Sequence, residues 1–352
     1  MRAVFVFVTS GEGLGHLSRA LAVTKQLHKR DTELELMIIT TSKAIETIRE
    51  QGFSFFYIPG REDTPGGISY EQWILLSKAL IRQMARSYEP IAAIYDTAYP
   101  YPWMLEVLEE VGIHTRIWIK RECDKPNMTV LNTLESQFDC IVAPKELERD
   151  VKENTGNKTY VAPIVQIEQE ELLLRDLVRR QYGVKEEELF VYVQLGSGMV
   201  GNLMQRTREI VEYLLEKEGV RVLLGGYVTG ERQSIEQARV CCCKEYPIAK
   251  YFQGIDLAIC AAGYNTVHEL LTCHVPALLL PNMDTVIDDQ EKRAIGMEQA
   301  GYAICHRSGD SIEQAIEMLF ERRGKLKEAL GQYPWSNGAK EAASIMYAYL
   351  KK

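Results

Sequence analysis

A histidine closes a glycine-rich turn near the start of the chain. Gly11-Glu12-Gly13-Leu14-Gly15-His16 follows the apolar run Val4–Val8 and opens the amphipathic stretch Leu17–Leu27. The glycines let the backbone turn sharply and bring amide groups close to a ligand. An imidazole at such a helix start is able to take a proton near neutral pH, so His16 is a candidate general base. Its structural alternative is to cap the helix or pack on the next loop. The turn lacks the Gly-Lys-Ser/Thr of a Walker loop and the spacing of the dinucleotide motif Gly-x-Gly-x-x-Gly. Asp96, at the end of the strand-like run Ile91–Asp96, is the second candidate to take a proton or hold an acceptor; its alternative is to cap a turn. The aromatic stretch Tyr95–Trp103 suits stacking on a sugar or an apolar group, unless it is core.

Three further stretches lie in the C-terminal half. Ala261-Ala262-Gly263-Tyr264-Asn265-Thr266 follows the strand-like Leu257–Cys260 and opens a helix. Small residues there leave the helix N-terminus open to a phosphate, drawn by backbone N–H groups and the helix dipole. Glu269 falls one turn further on the same side as Asn265 and Thr266. A carboxylate at that place accepts from two adjacent ribose hydroxyls; the alternative is a dipole partner in the first turn. Asp288-Asp289-Gln290 opens the next helix after Pro276–Pro281, and Asp289 and Gln290 are candidates for sugar hydroxyls, with helix capping as the alternative. Gly196, Ser197 and Gly198, after the strand-like Leu189–Leu195, form an amide-rich loop able to reach a phosphate. No spacing of acidic, histidine or cysteine residues reads as a metal site.

The elements that must position these groups follow from periodicity. Val4–Val8, Leu34–Thr40, Phe53–Ile58, Ile91–Asp96, His114–Ile119 and Phe138–Ala143 read as strands, separated by stretches of helical spacing. The rhythm resumes with Leu189–Leu195, Val220–Leu224, Leu257–Cys260 and Val275–Leu280. It predicts two doubly wound α/β domains with parallel sheets. We expect an N-terminal domain over 1–164, a charge-rich linker over 165–188, a second domain over 189–336, and a helix over 337–352 packing back on the first domain. Ligands of such sheets bind beyond the carboxyl ends of the strands, where all the glycine and polar clusters fall.

Composition narrows the partners. The chain has 352 residues, 46% hydrophobic and 26% charged, with a net charge of −8. That is ordinary globular composition, and the acidic balance argues against a nucleic-acid-binding protein. No apolar run is long enough for a transmembrane helix, no signal-peptide pattern is present, and Cys241-Cys242-Cys243 suits neither a zinc site nor a disulfide framework. We expect a cytoplasmic protein.

Taken together, these motifs resemble the nucleotide-sugar glycosyltransferases of the GT-B fold, and most closely glycosyltransferase family 28. Gly15-His16 matches that family's N-terminal turn. Ala262-Gly263, Thr266, Glu269, Val275-Pro276 and Asp289-Gln290 match its second-domain motif in order and spacing. Tyr264-Asn265 and the Arg19 region depart from the family pattern. The resemblance implies two Rossmann-like domains facing a cleft, and transfer of a hexose from a UDP-sugar to a hydroxyl acceptor, small or lipid-linked. Glu269 would hold the ribose, and Gly263, Asn265 and Thr266 the diphosphate. Asp289 and Gln290 would bind the hexose, Gly196–Gly198 would touch phosphate or sugar, and His16 would be the base. Uracil recognition would be by backbone near Pro247–Phe252. A helix N-terminus can stabilise the leaving diphosphate without a metal. We therefore expect inverting, metal-independent chemistry with His16 or Asp96 taking the proton, and no cofactor beyond the co-substrate. A hydrolase or epimerase on the same fold, or a non-catalytic nucleotide-sugar-binding module, are the alternatives. The epimerases' longer Asp-Ser-Gly-Gly run is replaced here by Ala261-Ala262-Gly263-Tyr264-Asn265.

Overall fold

The protein is described by a computed structural model over residues 2–9, 14–60, 67–122, 125–126, 130–147, 150–196, 202–226, 235 and 237–351. The chain begins β1 (Arg2–Val8), α1 (Gly15–Arg30), β2 (Leu34–Thr40), α2 (Ile45–Glu50), β3 (Ser54–Tyr57) and α3 (Tyr70–Tyr88). It continues β4 (Ala92–Tyr95), α4 (Pro102–Glu110), β5 (Thr115–Ile119), α5 (Val130–Thr133), β6 (Cys140–Pro144) and β7 (Lys158–Val161). A second series follows: α6 (Arg175–Gln181), β8 (Leu189–Gln194), α7 (Asn202–Glu216), β9 (Val220–Gly225), β10 (Val240–Cys243) and β11 (Leu257–Ala261). Then come α8 (Tyr264–Thr272), β12 (Ala277–Leu280), α9 (Gln290–Gln299), β13 (Ala303–Cys305), α10 (Ile312–Gly331) and finally α11 (Ala339–Leu350). Two compact units result. One runs to Ile164 and takes back the chain from Asn337; the other is Val165–Ser336.

Both units are doubly wound Rossmann-like α/β domains. Among the described residues the first sheet has the order β3-β2-β1-β4-β5-β6-β7 and the second β10-β9-β8-β11-β12-β13. The pairings are parallel. Because helices cover both faces, the central strands are mostly apolar on both sides, as in Val4–Val8 of β1. In β1, Val4, Val6 and Val8 share a core with Leu17, Leu21, Ile38, Ile94 and Met346. Alternation sends Phe5 and Phe7 to the other face, where Phe7 stacks on Tyr95 at 5.1 Å. In the second unit Val191 and Val193 pack with Ile210 and Ile316, while Tyr192 lies against Phe252 on the opposite face.

The stretch 165–188, expected as a linker, is instead built into the second unit. Val165, Ile167 and Val178 are buried. Arg179 on α6 donates to Asp256 at 2.9 Å and to the Glu188 carbonyl at 2.8 Å. Asp256 in turn accepts from the Phe190 N–H at 2.8 Å, so one half-buried carboxylate ties α6 to the sheet. Gly254 has no room for a β-carbon because Val178 of α6 occupies its place. Of the segment's charges, Arg179 and Glu188 turn inward and are buried, while most of the others face solvent.

Helix α11 packs on the first unit through Ala339, Ala342, Ala343 and Met346. Its entry is tight: Gly338 donates to the Pro163 carbonyl at 2.8 Å, and a β-carbon on Gly338 would collide with the Ala162 carbonyl. Tyr347 donates to Asp31 at 2.9 Å from the other end. We expect Gly338→Ala to cost about 1–3 kcal/mol, the usual range for forcing atoms into filled space, and to lower the melting temperature of the full chain. An unchanged melting temperature would show that α11 is not seated this way. Among the described residues no helix is long and apolar enough to cross a membrane.

Candidate active site

Strand order reverses between β1 and β4 in the first sheet and between β8 and β11 in the second. Doubly wound sheets bind ligands at such reversals, beyond the carboxyl strand ends. The candidate residues cluster at both.

In the first unit α1 starts directly after the β1 loop and places His16 in its first turn. Asp96 follows β4 and is anchored by its N–H to the Phe7 carbonyl at 2.9 Å. Neighbouring strands thus bring His16 Nδ1 to 2.8 Å from Asp96 Oδ1. Arg19, one turn along α1, donates through Nη2 to the same oxygen. Both Arg19 and Asp96 are fully buried, and the His16 side chain is 12% exposed. A carboxylate oxygen only accepts, so the imidazole proton sits on Nδ1 and the Nε2 lone pair is left for another partner. Burial is the main reason that the His16 pKa lies below its usual value; Asp96 opposes this, and Arg19 and Arg121 add to it. Thr9 donates to Thr97 at 3.2 Å and so ties the two loops beside the pair.

In the second unit Gly263 is the N-cap of α8, without a side-chain cap and without an acidic residue in the first turn. A β-carbon at Gly263 would meet nothing within 4 Å. Packing among the described residues does not require a glycine there. Glu269, on the same helix, is 7% exposed. Burial pushes its carboxyl up to about 8, with no hydrogen bond or cation among the described residues offsetting that cost. The buried Cys260 and Tyr192 and the half-buried Cys273 are its neighbours.

Beside this tip, α9 opens with Asp289 as its N-cap, accepting from the Lys292 N–H at 2.9 Å. Gln290 accepts from the Asn282 N–H at 3.0 Å. Asp288 pairs with the buried Arg293 at 2.8 Å, and Arg293 also donates to the Ala262 carbonyl at 3.1 Å. That guanidinium, 5.6 Å over the Tyr264 ring, fixes the turn immediately ahead of Gly263.

Residues 236–344 match the family model of the glycosyltransferase family 28 C-terminal domain. Over that stretch the chain is similar to family 28, and the likenesses support a family 28-like glycosyltransferase. A UDP-N-acetylglucosamine–N-acetylmuramyl-(pentapeptide) pyrophosphoryl-undecaprenol N-acetylglucosamine transferase of Acetivibrio thermocellus is 23% identical over 369 residues, which is 98% of this chain and 97% of that protein. The structure of Acinetobacter baumannii MurG aligns with a TM-score of 0.65 at 18% identity, covering 99% of this chain and all of that one. The spinosyn forosaminyltransferase SpnP aligns with a TM-score of 0.69 at 11% identity, covering 100% of both chains. These structures share the fold, two Rossmann-like domains of the GT-B kind.

The glycosyltransferase thus brings His16 and Asp96 together in one unit. In the other it places Gly263, Asn265, Thr266 and Glu269 on one helix, with Asp289 and Gln290 at the next helix start. Gly196 ends the described part of its loop at φ 140°, a conformation that favours glycine; Ser197, Gly198 and the Gly11-Glu12-Gly13 turn lie outside the described residues. Tyr95 belongs to the core, stacked on Phe7. Of the aromatic stretch only Tyr99 and Tyr101 keep partly exposed rings, Trp103 being buried against Trp73. The sequence reading missed Arg19 and the Asp288–Arg293 pair. Arg19 had a signal: a cation on the apolar helix face of Leu17, Ala20 and Leu21, three residues after His16. Arg293 had one too, a cation five residues after Asp288 on a helix start.

Proposed function

We propose that this glycosyltransferase moves a hexose from a UDP-sugar to a hydroxyl acceptor by a single inverting displacement that needs no metal. The observation that carries the proposal is Glu269: a buried carboxyl without an offsetting partner among the described residues, on a helix whose tip has no side-chain cap. Adjacent ribose hydroxyls supply the two donors that an ionised Glu269 requires. The tip of α8 and the amides beside Gly263 then meet the diphosphate, whose growing charge the helix dipole stabilises. Asn265 and Thr266 are placed to donate to phosphate oxygens. Asp289 and Gln290 take hexose hydroxyls. Gly196–Gly198 adds backbone amides.

His16 is the base. Its Nε2 lone pair takes the acceptor proton as the oxygen attacks the anomeric carbon, and direct attack inverts that carbon. Asp96 is fully buried with Oδ1 already accepting, so it positions His16 rather than taking the proton itself. The names of the full-length relatives support UDP-N-acetylglucosamine as the first donor to try and a lipid-linked pyrophosphate among the acceptors.

The test is release of UDP from a panel of UDP-sugars, with and without candidate acceptors, and with and without EDTA. Acceptor-dependent release that is unaffected by EDTA is expected. Equal release in water alone would make the protein a hydrolase, and sugar isomerised without release an epimerase. Saturable UDP binding without turnover under any condition would make it a binding module.

A further inference from the structure

Arg19 is the charged group in the first unit's site that glycosyl transfer does not obviously need. It is fully buried on the core side of α1, which is costly for a guanidinium without a compensating charge. Its Nη2 shares Asp96 Oδ1 with the imidazole, and lies 3.1 Å from His16 Nδ1. Two donors therefore converge on one carboxylate oxygen. A carboxylate facing a histidine alone stabilises the imidazolium and raises its proton affinity. A base so treated takes the acceptor proton readily but is protonated before substrate arrives. With Arg19 present, the pair formed by Asp96 and Arg19 is close to neutral, and the carboxylate still fixes the ring by accepting from Nδ1.

We propose that Arg19 is a positioning residue for His16, taking up the Asp96 charge so that the carboxylate aligns the imidazole without trapping it as imidazolium. This rests on the reading of His16 as the base, yet its test needs no substrate. Among the described residues the groups that face His16 are Asp96 beyond β4, Arg19 on α1 and Arg121 beyond β5. The proposal concerns the balance between the first two.

The experiment is an NMR pH titration of the full chain labelled in histidine, with the His16 resonance assigned by its loss in His16→Gln. The wild-type midpoint is expected below the ordinary histidine value. In Arg19→Met the unbalanced Asp96 should raise it by about one pH unit or more, a tenfold gain in proton affinity. Arg19→Lys, which keeps the charge, should stay near wild type. An Arg19→Met midpoint unchanged from wild type would reduce Arg19 to a packing role and overturn the proposal. Should Arg19→Met fail to fold with Asp96 left unpaired, Asp96→Asn is compared with the double variant Arg19→Met/Asp96→Asn. The proposal requires a lower His16 midpoint in the single variant, where Arg19 faces the ring uncompensated; equal midpoints would refute it. If UDP-sugar turnover is absent while these shifts appear, the transferase reading fails and the electrostatic one stands.

Discussion

Glu269→Ala is expected to weaken UDP binding by about 10- to 100-fold with the fold intact. Charge-assisted hydrogen bonds contribute about 1.5–3 kcal/mol each, and every 1.4 kcal/mol is tenfold. Isothermal titration calorimetry with UDP measures the loss, and an unchanged affinity would remove Glu269 from the donor site. The same residue predicts a pH signature. Its carboxyl is pushed up to about 8 by burial in the folded protein, against about 4.3 for an exposed glutamate. Between these values the folded state binds the proton that the unfolded state has released. Its contribution to stability is therefore complete at low pH and is lost as pH rises through the folded value. Ribose hydroxyls favour the ionised form, so UDP binding near pH 7 should release a proton. Calorimetry in buffers of different ionisation enthalpy reads that proton directly, and Glu269→Gln should abolish its release.

His16→Ala should cut turnover by about 10²- to 10⁴-fold, the usual contribution of a positioned base, while UDP affinity stays as in the wild type. The split separates a base in the first unit from donor-holding groups in the second. Because burial holds the His16 pKa below its ordinary value, wild-type kcat/KM should fall only on the acid side of that value and stay level above it. A variant with full activity, or one that loses UDP affinity in step with turnover, would end the assignment of His16 as base.

Much of this was legible in the sequence because the central strands are buried on both faces. Val4–Val8 and Leu257–Cys260 are unbroken apolar runs, Leu34–Thr40 is broken only by Glu35 before the closing Thr40, and β1, β2 and β11 form on them. The strands left unread are β7, β10 and β13, and each lies at a sheet edge. An edge strand has one neighbour and often a wetter face: β7 is Lys-Thr-Tyr-Val with one buried residue, and β10 includes the exposed Cys242. Strand β13 is buried but only three residues long, too short for a periodic signal. The site was legible where backbone chemistry demands a residue type, as at Gly263 and His16. It was not legible where a role depends on a distant partner. Nothing local shows that Arg19 meets Asp96, 77 positions away, or that the Arg179 of an apparently solvated segment closes on Asp256. Glu122 likewise accepts from Lys158 at 2.9 Å and Tyr160 at 2.7 Å, 36 and 38 positions away.

The seating of Gly338 against Pro163 has a topological consequence. The chain leaves the first unit at Ile164 and re-enters it at Asn337, and the backbones on either side of that excursion are within one hydrogen bond of each other. In effect the second unit is an insertion between two abutting ends. It could be excised as one continuous fragment, and the host would need only a short peptide splice to close the gap. A truncation that removed the last helix would, by contrast, strip core from the half where the protein begins.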